Sequence, residues 1–217
     1  MAEPAGPCCF DDWARDDARR ARRRTRPDAV TRALVEALGR SGLRGRSVLD
    51  VGCGAGELAL ACLDAGASRA SGLDLGAGAI DHARALALER GYAEVVNFVA
   101  ADAATAELEP HDVVVLSRVI CCYPEAAGLV DHTAAAAAST YGFVVPRSSG
   151  VVGRLTKLLM RVENAVFRLR RRKFGGYRAF VHDVAAIDEQ LRRAGLRQVH
   201  TQHLRFVWCL AVYQREA

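Results

Sequence analysis

The residues whose types and spacing could do chemistry are a glycine loop, Asp50-Val51-Gly52-Cys53-Gly54-Ala55-Gly56, and two later carboxylates, Asp74 and Asp102. Glycines let a backbone approach a ligand closely, and a helix starting behind such a loop presents free N–H groups. The dinucleotide spacing Gly-x-Gly-x-x-Gly serves a pyrophosphate. Here the spacing is Gly-x-Gly-x-Gly, with Asp50 just before it. A carboxylate in that place suits a cationic or zwitterionic ligand better than a pyrophosphate, which disfavours a nicotinamide oxidoreductase. Asp74 follows Gly56 by 18 residues, where a carboxylate can take both hydroxyls of a ribose. Asp102 stands where a carboxylate can accept from an adenine amino group.

Those residues need a scaffold, and the chain supplies an alternation. Arg46 to Val51 reads as a buried strand and Glu57 to Ala65 as the helix after the loop. Arg69 to Asp74, Val95 to Ala101, Asp112 to Ser117 and Tyr141 to Val145 read as further strands. Ala77 to Arg90 and Pro124 to Ala138 read as helices between them. Strands alternating with helices predict a parallel sheet covered on both faces. Leu196 to His203 and Arg205 to Tyr213, after a helix at Asp183 to Ala194, read as an antiparallel pair closing the sheet. Asp50, Asp74 and Asp102 then follow three successive strands beside one crevice. Residues 1–44 read as an N-terminal helical arm and 45–217 as the main domain, with a helical insertion at 147–182.

The run Val48 to Gly56 resembles the first motif of class I S-adenosylmethionine (SAM)-dependent methyltransferases, over a similarity covering roughly residues 45 to 145. The resemblance implies an α/β, Rossmann-like fold with a seven-stranded, mostly parallel sheet whose last strand is antiparallel. It implies SAM as cofactor and contacts to it from Asp50, Gly52, Gly54, Gly56, Asp74, Leu75, Asp102, Ala103 and Ser117. Asp74 matches the family's ribose-binding acid, Asp102 with Ala103 its adenine-contacting segment, and Asp112 to Ser117 the strand whose end faces the methyl group.

The acceptor side is less marked. Ser117 leads into Arg118-Val119-Ile120-Cys121-Cys122-Tyr123-Pro124, without the Asn- or Asp-Pro-Pro-aromatic motif of nucleic-acid amine methylases. Its Tyr-Pro pair resembles the His-Tyr-Pro segment of magnesium-protoporphyrin O-methyltransferases, with Cys122 where that family has histidine. The expected acceptor is a small molecule, acidic and apolar, methylated on a carboxylate or hydroxyl oxygen. A carboxylate acceptor needs a cation to orient it, for which Arg118 is the first candidate. A hydroxyl acceptor needs a base, for which Tyr123 and His182 are candidates. An RNA or protein methyltransferase and an inactive SAM-binding assembly subunit are the alternatives.

The net charge is +5, with seven arginines in Arg15 to Arg26 and five basic residues in Arg168 to Lys173. Such segments can attract anions or be solvated faces, and nucleic acid is the less favoured partner. Val151 to Arg172 has apolar residues at helical spacing with arginines between them. A substrate lid, a peripheral membrane contact and a dimer face all stay open for it, and with them monomer or homodimer. Seven cysteines without Cys-x-x-Cys spacing, and no signal peptide or membrane-spanning run, lead to expectations of no metal and a cytoplasmic location. The doublets Cys8-Cys9 and Cys121-Cys122 could converge as a thiol cluster or serve as small buried hydrophobes.

Overall fold

The computed structural model describes residues 27–169 and 178–216. Helix α1 spans Ala29–Arg40. It starts where Asp28 Oδ1 accepts from the amides of Val30 and Thr31, both at 2.8 Å, satisfying N–H groups that the first helical turn leaves unpaired. There follow β1 (Ser47–Val51), α2 (Glu57–Asp64), β2 (Arg69–Asp74), α3 (Ala77–Glu89), β3 (Val96–Ala100) and β4 (His111–Ser117). The chain continues as α4 (Ala126–Ala135), β5 (Ala137–Pro146), α5 (Gly150–Leu169), α6 (Val184–Arg193), β6 (Leu196–Leu204) and β7 (Trp208–Arg215).

These strands form one seven-stranded sheet in the order β3-β2-β1-β4-β5-β7-β6. β1 to β5 pair in parallel, and β7 is antiparallel to both β5 and β6. The alternation of strand side chains divides the core into two. Val48, Val113 and Val115 face a cluster built with α1, α2 and α3. Leu49, Val51, Val114 and Leu116 face a second cluster built with α4 and α6. Both faces of the central strands are therefore dry, which is why β1 and β4 are apolar runs rather than alternating ones. At their lower ends Asp112 clasps the two strands together, accepting from the Ser47 amide and hydroxyl at 2.9 and 2.8 Å.

Two boundaries differ from the expectation. The alanine run at 134 to 138 divides, with α4 ending at Ala135 and β5 starting at Ala137 rather than at Tyr141. Alanine favours helix, but here the Arg215 guanidinium takes the carbonyls of Ala134 and Ala137 while Ala137 pairs with His111. The expected strand at 205 to 213 starts later, because Arg205 and Phe206 take left-handed backbone in the β6–β7 turn. Residues 13–26, where a helix is expected, and Arg170 to Arg172 at the end of the amphipathic helix lie outside the described residues. No described helix is long and apolar enough to cross a membrane.

Helix α1 shares the first core cluster through Val30, Leu34, Ala37 and Leu38. Leu38 and Leu34 lie beneath Gly142 of β5, where an added Cβ would come 3.3 and 3.4 Å from their methyl groups. Leu38→Ala is therefore expected to cost about 2–5 kcal/mol of stability in urea denaturation, and an unchanged midpoint would show that α1 is a dispensable arm.

Candidate active site

The strand order reverses between β1 and β4. The chain after β1 turns to one side and the chain after β4 to the other, which opens a crevice at the carboxyl ends of the strands. The loop after β1 forms one wall. Gly52, Gly54 and Gly56 all have positive φ (67°, 52° and 79°), conformations that favour glycine. A Cβ at Gly52 would lie 2.4 Å from a methyl of Val119, and one at Gly56 would lie 2.9 Å from the Phe98 ring. A Cβ at Gly54 would meet nothing within 4 Å. Gly52 and Gly56 thus serve protein packing, while Gly54 borders open space in the crevice.

Asp74, at the end of β2, holds this loop. Its Oδ2 accepts from the Gly54 amide and its Oδ1 from the Gly76 amide, both at 2.9 Å. Leu75, 45% exposed beside it, offers apolar surface at the rim. Asp102 begins the turn after β3. Its Oδ1 accepts from the Ala104 amide at 2.9 Å and from the Tyr123 hydroxyl at 2.8 Å. The Ala103 side chain is buried in the second core cluster.

Asp50 sits below the loop and is buried, with its Oδ2 accepting from the Ala59 amide at 3.1 Å. Burial pushes its carboxyl up to about 8 against that hydrogen bond, and the neighbouring Asp74 charge adds to the rise. The Asp50 carboxyl is thus held in the core beneath the loop, where burial raises it toward neutral pH.

The far wall follows β4. Ser117 ends the strand, and its Oγ is buried with no hydrogen-bond partner among the described residues. Arg118 has φ 64°, and its amide donates to Val144 O at 2.9 Å. This left-handed turn sends its guanidinium away from the strand to Asp28 Oδ2, at 3.1 Å. Arg118 thus ties the crevice wall to the start of α1. Burial alone would raise Asp28, but the Thr31 amide, Arg118 and the Val30 amide outweigh it and hold the carboxyl low. The Cys121 and Cys122 thiols both donate to Arg118 O. The neighbouring Cys122 thiol and burial both push the Cys121 thiol up, away from the thiolate that a nucleophile needs. No described group of three or more His, Cys, Asp or Glu could hold a metal, and Cys8 and Cys9 lie outside the described residues.

Residues 178–182 cover this wall. The Phe180 amide donates to Cys121 O at 2.7 Å, and His182 Nε2 lies 2.9 Å from Tyr123 O. A carbonyl only accepts, so His182 carries its proton on Nε2.

Residues 48–138 match the family model described as a methyltransferase domain. That stretch of the chain is a methyltransferase domain by this match. Its sequence is 43% identical over 70 residues to the ribosomal protein L11 methyltransferase of Deinococcus radiodurans, covering 32% of this chain and 26% of that one. It is 32% identical over 156 residues to the Yersinia pestis enzyme of the same name, covering 72% of this chain and 47% of that one. The chain thus spans less than half of these relatives. The magnesium protoporphyrin IX methyltransferase of Synechocystis, solved with S-adenosylhomocysteine (SAH), superposes with a TM-score of 0.73 at 24% identity, covering 95% of this chain and 96% of that one. That likeness shows the fold.

The methyl donor of the domain is SAM. The crevice fits it on features of its own: open space over Gly54, a carboxylate at the end of β2, and a buried Ser117 hydroxyl at the end of β4 with no partner among the described residues. Sequence reading missed Val119, Phe98 and Asp28. The first two were hidden because an apolar residue signals only burial. Asp28 acts through Arg118, a partner 90 residues away that no local pattern signals.

The folded carboxyl of Asp50 lies above its ordinary 3.8, so between about pH 4 and 8 the folded chain keeps a proton that the unfolded chain has released. This contribution to stability is complete below the lower value and is lost as pH rises through 8. Asp50→Asn retains an acceptor for Ala59 and cannot ionise. Its Tm relative to the parent should grow from pH 5 to pH 8 and then level off, whereas a difference constant across that range would mean that Asp50 is ionised throughout.

Proposed function

We propose that the chain transfers the methyl group of SAM to an oxygen of a small-molecule acceptor. The observation that carries this reading is the covered acceptor wall, where residues 178–182 hydrogen-bond onto Cys121 and Tyr123 of the post-β4 segment. A crevice closed by its own chain favours a small acceptor over a macromolecular one. The Synechocystis protein, whose name gives magnesium protoporphyrin IX as its substrate, supports the same class.

On this reading Asp74 takes the ribose hydroxyls, Asp102 and the backbone at Ala103 meet the adenine, Leu75 covers its edge, and the Gly52–Gly56 loop with Asp50 beneath it holds the amino-acid end. Ser117 lies toward the methyl group. When bound, SAM supplies a methyl carbon already activated as a sulfonium substituent, so the residues have to orient, desolvate and move a proton. Burial, followed by the hydrogen bond to Asp102, pushes the Tyr123 phenol well above its ordinary value. Tyr123 therefore keeps its proton and acts as a donor that positions Asp102, not as a base. His182, with Nε2–H committed to Tyr123 O, retains Nδ1 as an acceptor and is the base we assign for a hydroxyl acceptor. On the same reading Arg118, held by Asp28, is the cation assigned to orient an acceptor carboxylate.

A second reading, a protein acceptor, is favoured by the names of the L11 methyltransferase relatives. The two separate on label transfer. With radiolabelled SAM and fractionated cell extract, the expected product is label in the small-molecule fraction, released by base if the acceptor is a carboxylate. Label confined to protein or RNA would overturn the small-molecule reading.

Calorimetry tests the donor site independently. SAH should bind the parent chain, and Asp74→Ala should weaken it by about a hundredfold, as expected for lost hydrogen bonds to a charged acceptor. Arg118→Ala should change SAH affinity little. Equal losses in the two variants would place Arg118 in the donor site instead.

A further inference from the structure

Helix α5 presents its apolar residues away from the protein. Val151, Leu155, Leu158, Leu159, Val162, Val166 and Leu169 form one stripe at helical spacing, each between 40 and 86% exposed. The side that packs inward is a different one, made of Gly153, Thr156 and Phe167. Gly153 fixes that orientation, because a Cβ there would lie 2.4 Å from the Ser148 backbone. A substrate lid would turn the apolar stripe over the crevice, and this helix does the reverse.

Charge sets what the stripe can meet. At 100° per residue, Arg154, Lys157, Arg161 and Arg168 fall together on one shoulder of the stripe, against a single acid, Glu163, on the other. The sequence continues with Arg170, Arg171, Arg172 and Lys173. A twofold pairing of this face with a second copy would bring two such cationic helices together. A nucleic acid would use the cations and leave seven apolar side chains in water. An anionic bilayer satisfies both halves, with the stripe entering the acyl boundary and the cations meeting the headgroups. Twenty residues give about 30 Å of helix to lie along that surface. The helix is also tied to the crevice wall. The Asn164 side chain donates to Ala179 O and accepts from its amide, both at 2.8 Å, one residue before Phe180 docks on Cys121.

We propose that α5 is a peripheral docking helix for an anionic lipid surface. The test is flotation of the full chain with phosphatidylcholine vesicles, with and without phosphatidylglycerol, at low and high salt. Binding is expected only to vesicles containing phosphatidylglycerol, and salt should weaken it. Each cation near such a surface contributes about a factor of five, so the combined Arg154→Ala, Lys157→Ala, Arg161→Ala variant should bind about a hundredfold more weakly. The Leu155→Asp, Val162→Asp variant should lose binding altogether. Both variants should keep the parent's Tm and SAH affinity, which separates this outcome from misfolding and from failure of the donor site. No binding to either vesicle, equal binding to both, or undiminished binding by the triple variant would overturn the proposal. So would a parent dimer that Val162→Asp dissociates in sedimentation without any vesicle binding.

Discussion

The hydrogen bond from the Gly54 amide to Asp74 joins the loop after β1 to the end of β2. A loop with three left-handed glycines has few side chains of its own, only the buried Cys53 and Ala55, to hold its shape. It takes that shape from three sides: Asp74 accepting from its middle, Val119 against Gly52, and Phe98 against Gly56. Each contact comes from a different strand or its following loop, so the loop is correct only when β1, β2, β3 and β4 are in register. The donor site therefore reports on the whole parallel half of the sheet.

The acceptor half is built differently. Behind Ser117 the chain turns through a left-handed arginine, and a non-glycine residue in that conformation persists where its surroundings hold it. Arg118 is held by its amide bond to β5 and by its ion pair to the cap of α1. Tyr123 reaches back from this segment to Asp102, linking the segment after β4 to the turn after β3. A change on either wall is thus felt on the other through one hydrogen bond between a phenol and a carboxylate.

Helix α5 follows a third logic. The other helices bury their apolar stripes against the sheet, α1 to α3 on one face and α4 with α6 on the other. Both faces are then covered, and α5 has only a narrow strip of Gly153, Thr156 and Phe167 with which to attach. Its apolar stripe stays outside the protein core because no sheet face is left to receive it.

By itself the sequence determined the sheet and placed the glycine loop, Asp74 and Asp102 at its strand ends. Strand and helix periods are local, and Gly-x-Gly-x-Gly, Asp74 and Asp102 stand at strand ends that those periods locate. Where the periods were ambiguous, as in the alanine run at 134 to 138, tertiary pairing with His111 and Arg215 decided the boundary. Only the tertiary structure decided that Asp50 is buried, that Arg118 is paired with Asp28, and that Tyr123 is a donor to Asp102. It alone decided that the apolar side of α5 faces outward. Each of these depends on what lies across from a side chain, from residues 9 to 90 positions away in the chain, and periodicity records which face a residue occupies without recording its partner.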